Sequence, residues 1–108
     1  MQRVGAGSLR GRVLRPLPAT IAGVRPTGSR VREAIFDRLH LTLPGATVLD
    51  LFAGSGAMAI EALSRGAARA TLVDLQANVV RFLREQIREL ALAPLWPLLA
   101  LSLVGALT

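Results

Sequence analysis

The sequence predicts an α/β fold in which a parallel sheet is built by right-handed crossovers over residues 29–90. Three observations support this. An apolar run from Val48 to Phe52, interrupted only by Asp50, ends in Ala53-Gly54-Ser55-Gly56 and passes into helix-favouring residues, the order of buried strand, tight glycine turn and helix. Thr71-Leu72-Val73 then gives a second short strand, followed by an amphipathic helix. Strand, helix, strand, helix with short connections is the pattern of a parallel sheet.

The elements follow in order. Arg3-Val4 and Arg12-Val13-Leu14 are short strands separated by a glycine-rich connection, Gly5 to Gly11, which suggests a β-hairpin. From Arg15 to Gly28 the chain carries Pro16, Pro18, Gly23, Pro26 and Gly28 and reads as an extended linker, so residues 1–28 form a basic hairpin and linker. Ser29 is positioned to cap a helix running to His40. Val31, Ile35 and Leu39 recur at four-residue steps as its buried stripe, with Phe36 beside it. Arg32, Glu33 and Arg38 are expected to point elsewhere.

Pro44-Gly45 closes that helix and introduces the strand Thr47–Phe52. The helix after the glycine turn spans about Ala57 to Arg65, buries Ala59, Ile60 and Leu63, and has Gly66 as its C′ residue. Gln76 to Leu90 buries Val79, Leu83, Ile87 and Leu90, leaving Arg81, Arg84, Glu85 and Arg88 in water. Residues 91–108 carry no charge and form an apolar tail. Their length is borderline for a bilayer, and Pro94 and Pro97 break a clean helix, so an irregular end without a membrane span is expected. No alternation identifies a strand there.

Composition narrows the chemistry. The chain has 108 residues, 52% of them apolar, which suits one domain with a core rather than a disordered segment. It has no cysteine and one histidine, which excludes disulfides, thiolate catalysis and a cysteine–histidine metal cluster. No lysine is present. Residues 1–38 hold eight arginines against Glu33 and Asp37, which accounts for the whole net charge of +6. A basic segment attached to a neutral domain is the footprint of a polyanionic partner. The N-terminus lacks an apolar run after its arginines, so it does not read as a secretory signal, and the cytoplasm is expected.

The glycine turn carries the sharpest signal. Gly54-x-Gly56-x-x-Ala59, with Asp74 twenty residues after Gly54, fits the turn on which nucleotide-shaped cofactors sit, including nicotinamide dinucleotides. Asp50, at the end of the first strand, discriminates. A pyrophosphate beside it would be repelled, whereas the ammonium and sulfonium of S-adenosylmethionine favour a carboxylate. Asp50 could also serve only as a turn or helix cap.

Three stretches resemble one family. Leu49-Asp50-Leu51-Phe52-Ala53-Gly54-Ser55-Gly56-Ala57 with Ile60-Glu61-Ala62-Leu63-Ser64-Arg65-Gly66-Ala67 is similar to the cofactor motif of the RsmD family. These bacterial methyltransferases act on guanine N2 of small-subunit rRNA. Arg25-Pro26-Thr27 with Arg30-Val31-Arg32-Glu33-Ala34-Ile35-Phe36-Asp37 resembles the family's second hallmark. Gly7-Ser8-Leu9-Arg10-Gly11-Arg12-x-Leu14 resembles its N-terminal hairpin, with Gly5 where a larger apolar residue is expected.

The resemblance covers about residues 3–90. It implies the N-terminal part of a Rossmann-like class I adenosylmethionine-dependent methyltransferase fold. It further implies that Asp50, Ala53, Gly54, Ser55, Gly56 and Asp74 surround the cofactor. Arg3, Arg10, Arg12, Arg25, Arg30 and Arg32 would contact small-subunit rRNA or its assembly intermediate, as a monomer without metal. The family's Asp/Asn-Pro-Pro-aromatic loop, which holds the target amine, has no counterpart, because no two prolines are adjacent here. A truncated or frame-shifted copy without assignable catalytic residues is therefore expected. The rivals are a non-catalytic RNA- or cofactor-binding fragment and a nicotinamide-binding protein.

Overall fold

The computed structural model describes residues 2–21 and 28–90, together with the backbone of residues 98–102. Its elements are β1 (Gln2–Arg3), β2 (Val13–Leu14), α1 (Ser29–Leu39), β3 (Thr47–Asp50), α2 (Ala57–Ser64), β4 (Arg69–Asp74), α3 (Ala77–Leu90) and β5 (Leu98–Ser102). Strands β1 and β2 pair antiparallel, Gln2 opposite Leu14 and Arg3 opposite Val13. The second sheet has the order β3-β4-β5 and is parallel throughout. Its register runs from Thr47 opposite Arg69 to Asp50 opposite Leu72, then from Ala70 opposite Leu98 to Asp74 opposite Ser102. Parallel strands joined through helices make this a partial Rossmann-like fold with an N-terminal β-hairpin.

The main core lies between the helices and the sheet. Leu72, Val79 and Leu83 are fully enclosed with Ala59, Ala62 and Ala70, and Val48, Met58 and Ile87 pack at the margin. Alanine on α2 lets that helix approach the sheet closely. The helix ends where its sequence says: Gly66, at φ +108°, donates to Leu63 O at 3.1 Å, and Ala67 N–H reaches Ala62 O at 3.0 Å. That pair of bonds is the Schellman closure, which satisfies two carbonyls the helix leaves open.

The hairpin is mounted on this body. Val4 and Leu14 bury against Ala57, Ile60 and Leu90, with Leu9 partly covered. Its connection rests on the end of α2, where Ser8 N–H donates to Ser64 O at 2.9 Å and Leu9 N–H to Ser64 Oγ at 2.9 Å. Ser64 Oγ in turn donates to Ala6 O at 2.6 Å. After the hairpin, Leu17 and Ile21 of the linker pack against the main core.

Four local expectations change. Helix α1 begins after Gly28, and no side chain caps it. Its buried residues are Arg32 and Phe36, whereas Val31, Ile35 and Leu39 are exposed. The helix is turned by one residue relative to the apolar stripe because Arg32 meets a buried carboxylate on α2, Glu61, described below. Strand β3 is also less enclosed than a buried strand: Leu49 is 62% exposed, and Phe52, which lies past the end of the strand at Asp50, is 78% exposed. It lies at the edge of the sheet, and only the face carrying Val48 meets the core. Finally, the apolar tail contains a strand, β5, which pairs with β4 along five positions. A continuous apolar run is what a strand in a parallel sheet shows, so alternation was the wrong signal to require. The rest of the tail, 91–97 and 103–108, lies outside the described residues.

Exposure of Leu49 gives a direct check. Leu49→Thr should change stability by less than about 0.5 kcal/mol, as a surface substitution does. A loss above about 2 kcal/mol in urea unfolding would show that this face is buried in the folded chain.

Candidate functional site

The glycine turn joins the end of β3 to α2 and is tied to the end of β4. Ala53 N–H donates to Val73 O at 3.0 Å, and Gly54 N–H to Asp74 Oδ2 at 3.1 Å. Gly56 N–H closes the turn on Ala53 O at 2.8 Å, and Ile60 N–H then takes Gly56 O at 2.9 Å as the first helical bond. Gly56 has φ +85°, and a Cβ there would come within 2.8 Å of Leu83 Cδ2. Glycine is thus required twice, for the left-handed backbone and for the packing of α3 behind it. Ala53, Gly54, Ser55 and Gly56 are all buried.

Two carboxylates frame the turn. Asp74, 7% exposed, uses both oxygens on backbone, accepting from Gly54 N–H and, at 3.0 Å, from Gln76 N–H. It braces the turn, and each oxygen retains a further lone pair for a ligand hydroxyl. Asp50 is half-buried and accepts from Phe52 N–H at 3.1 Å. Burial raises its carboxyl above the ordinary aspartate range, the Phe52 N–H opposes that shift, and the nearby Asp74 charge adds to it. A carboxylate held at such a cost is one that a cation would stabilise. The turn-capping role foreseen for Asp50 is present in that bond.

The basic residues divide. Arg3, Arg10 and Arg12 are exposed on the hairpin, and Arg30 is exposed on α1. Arg3 keeps one contact, Nη1 to Gly11 O at 3.2 Å. Arg25 lies outside the described residues. Arg32 does not belong with the surface arginines: it is 0% exposed, its Nε donates to Glu61 Oε1 at 3.2 Å, and its Nη2 donates to Arg3 O. A guanidinium enclosed and paired in this way cannot reach an RNA strand.

Glu61 is the residue that sequence reasoning missed. Its carboxylate, also fully buried, accepts from Gly5 N–H at 2.9 Å, Ala6 N–H at 3.2 Å, Arg32 and, at 2.8 Å, Arg65 Nε. Burial alone would raise this carboxyl; the Arg65 contact, the Gly5 N–H and Arg32 together hold it below the ordinary glutamate range. Arg65 extends the cluster to Asp37 Oδ1 at 2.9 Å and lies 5.6 Å from the Phe36 ring centroid. One carboxylate therefore joins the hairpin, α1 and α2. The available signal was an acidic residue within Ala57–Ser64, a helix otherwise apolar or small. Gln86 was missed in the same way, as a polar residue among the buried apolar positions of α3.

Among the described residues there is no His/Cys/Asp/Glu group suited to a metal ion, and no helix is long and apolar enough to cross a membrane. Comparison with known proteins places this geometry. The Escherichia coli K12 protein named ribosomal RNA small subunit methyltransferase D is 49% identical over 77 residues, which cover 71% of this chain and 38% of that protein. The solved structure of yhhF from Escherichia coli superposes with a TM-score of 0.76 at 37% identity, covering 98% of this chain and 55% of that one. A fold likeness extends to the C-terminal domain of precorrin-6Y C5,15-methyltransferase from Rhodobacter capsulatus, with a TM-score of 0.59, 24% identity, and coverage of 86% and 50%. The sheet, turn and helices are thus part of a class I methyltransferase fold. The chain spans about half or less of the length of these proteins. The family described as conserved hypothetical protein 95 matches residues 2–101. With the glycine turn, the arginine-bearing α1 and the hairpin all inside that match, the chain belongs to this family, the RsmD family.

Proposed function

We propose that this chain binds S-adenosyl-L-methionine at the turn Asp50–Gly56 and holds small-subunit rRNA through Arg3, Arg10, Arg12 and Arg30. The reading places it in methylation of guanine N2 of 16S rRNA. The observation that carries it is Asp50, a desolvated carboxylate at the mouth of a glycine turn, suited to a cationic ligand. In the proposed complex, Asp50 balances the positive charge of the ligand, Asp74 accepts from its ribose hydroxyls, and the glycines admit its backbone-facing edge. The cofactor supplies a methyl group made electrophilic by the sulfonium. The residues of this chain orient that group and the RNA rather than exchange protons. Exposed guanidinium groups bind phosphates bidentately, with an affinity that falls as salt rises.

Calorimetric titration tests the cofactor assignment. Asp50→Asn should weaken adenosylmethionine binding about 10–100-fold, the worth of a charge-assisted contact. In the native chain, affinity should fall as pH drops through the raised carboxyl range of Asp50, because protonation removes the charge the ligand needs. The variant should show no such slope. Stabilisation by NAD but not by adenosylhomocysteine would replace this assignment with a nicotinamide site.

The alternative is a binding-only role for residues 1–108, which contain no adjacent prolines. Transfer of labelled methyl from adenosylmethionine to 16S rRNA by this chain decides between them. Turnover supports the enzymatic reading, and binding of both ligands without turnover supports the binding role.

A further inference from the structure

We infer that Gln86 is a positioning residue linking the basic hairpin to the glycine turn, so that RNA on the hairpin and adenosylmethionine in the turn bind with positive coupling. The inference rests on the binding roles proposed above. Gln86 is on α3 and only 2% exposed. A buried carboxamide needs partners for both ends, and the partners of this one lie on two different functional segments. Its Oε1 accepts from Arg15 N–H at 2.7 Å, and its Nε2 donates to Ser55 O.

Arg15 directly follows β2, so its backbone moves with the hairpin strand that Arg12 directly precedes. Its side chain also pairs with Glu89 and lies 5.4 Å from the Phe82 ring centroid, both on α3. Ser55 sits between Gly54 and Gly56, at φ +53° and +85°. Glycines leave that peptide free to rotate, and the Gln86 amide fixes which way the Ser55 carbonyl points. The N–H of the same peptide, that of Gly56, is thereby held on Ala53 O, the bond that closes the turn. The Glu61 and Ser64 contacts anchor the hairpin elsewhere, on the second half of α2. Ordering the hairpin on RNA therefore fixes Arg15, then Gln86, then the turn; ordering the turn on cofactor does the reverse.

The test is a linkage square on the full chain. The Kd of adenosylhomocysteine is measured with and without saturating 16S rRNA, and the Kd of 16S rRNA with and without adenosylhomocysteine. Each ligand should tighten the other by the same factor, about fivefold or more. Gln86→Met, which keeps length but removes both hydrogen bonds, should bring that factor close to one while RNA affinity alone stays within about twofold. A role confined to stability would lower both affinities and leave the factor intact. Coupling that survives in Gln86→Met overturns the inference. So does a native chain that binds both ligands independently, which leaves the proposed function standing. A native chain that binds neither ligand overturns both. Should Gln86→Met fail to fold, amide exchange in the native chain still decides: adenosylhomocysteine should slow exchange at Arg15 N–H, and an unchanged rate refutes the link.

Discussion

Glu61→Ala should lower the stability of the chain by about 3–5 kcal/mol, the cost of leaving a buried charge without its partner. Arg32 would remain fully enclosed, with only the Arg3 carbonyl for a partner, and its Nη1 already lacks one. The Gly5 and Ala6 N–H groups would lose their acceptor at the same time. Urea unfolding measures the loss, and proteolysis between residues 2 and 14 should speed up because the hairpin is released. A loss below about 1 kcal/mol would mean that the ion pair contributes little beyond its own desolvation.

The pH dependence has a definite sign. The folded carboxyl of Glu61 lies below the ordinary range, so its contribution is fully present above the unfolded value. It is lost as pH falls through the lower folded value. Acid should therefore release the hairpin in the native chain, whereas Glu61→Gln should lack this component.

Gly7→Ala is the second large effect. Gly7 has φ +88°, and a Cβ added there would lie 1.8 Å from Ser64 O, a backbone atom held by α2. The left-handed backbone costs a non-glycine residue about 1–2 kcal/mol, and the overlap adds about 1–3 kcal/mol. The overlap cannot be relieved by a side-chain rotation. The hairpin connection must instead lift from α2, breaking the Ser8 and Leu9 bonds to Ser64. The cost is bounded by the docking energy of the hairpin, since detachment is always open to the chain. Gly11→Ala is the control: it has φ +84° but nothing within 4 Å of the added Cβ, so it should cost only the backbone term. Equal losses in the two variants would show that contact with Ser64 is not what limits residue 7. Salt-dependent rRNA affinity should fall in Gly7→Ala and hold in Gly11→Ala.

Both effects arise in contacts between segments at least 29 residues apart, and this explains what the sequence could and could not tell. Residues 47–90 were legible because their signals are local. Gly54-Ser55-Gly56 demands a turn that only glycine enters easily, Gly66 demands a helix end, and the alternation of buried and exposed positions from Val79 to Leu90 repeats with the helix. Asp50 and Asp74 were found because their spacing from the turn is fixed by strand length.

Helix α1 shows where local signals stop. Val31, Ile35 and Leu39 offered a regular apolar stripe, yet the stripe one residue on, Arg32 and Phe36, is the one enclosed. Periodicity identifies a helix but not the rotation at which it docks. That rotation was decided by a carboxylate on another helix, because a buried Glu61 must be neutralised by a charge brought to it. Arg32 was accordingly moved from the surface arginines to the core. Strand β5 was hidden by the same locality: its apolar run acquires meaning only through pairing with β4. The sequence by itself determined a strand, a glycine turn and a carboxylate at each side of it. Tertiary structure alone decided how the hairpin is held to them, because hydrogen bonds to Glu61, Ser64 and Gln86 form only when the folded chain brings distant N–H groups within reach.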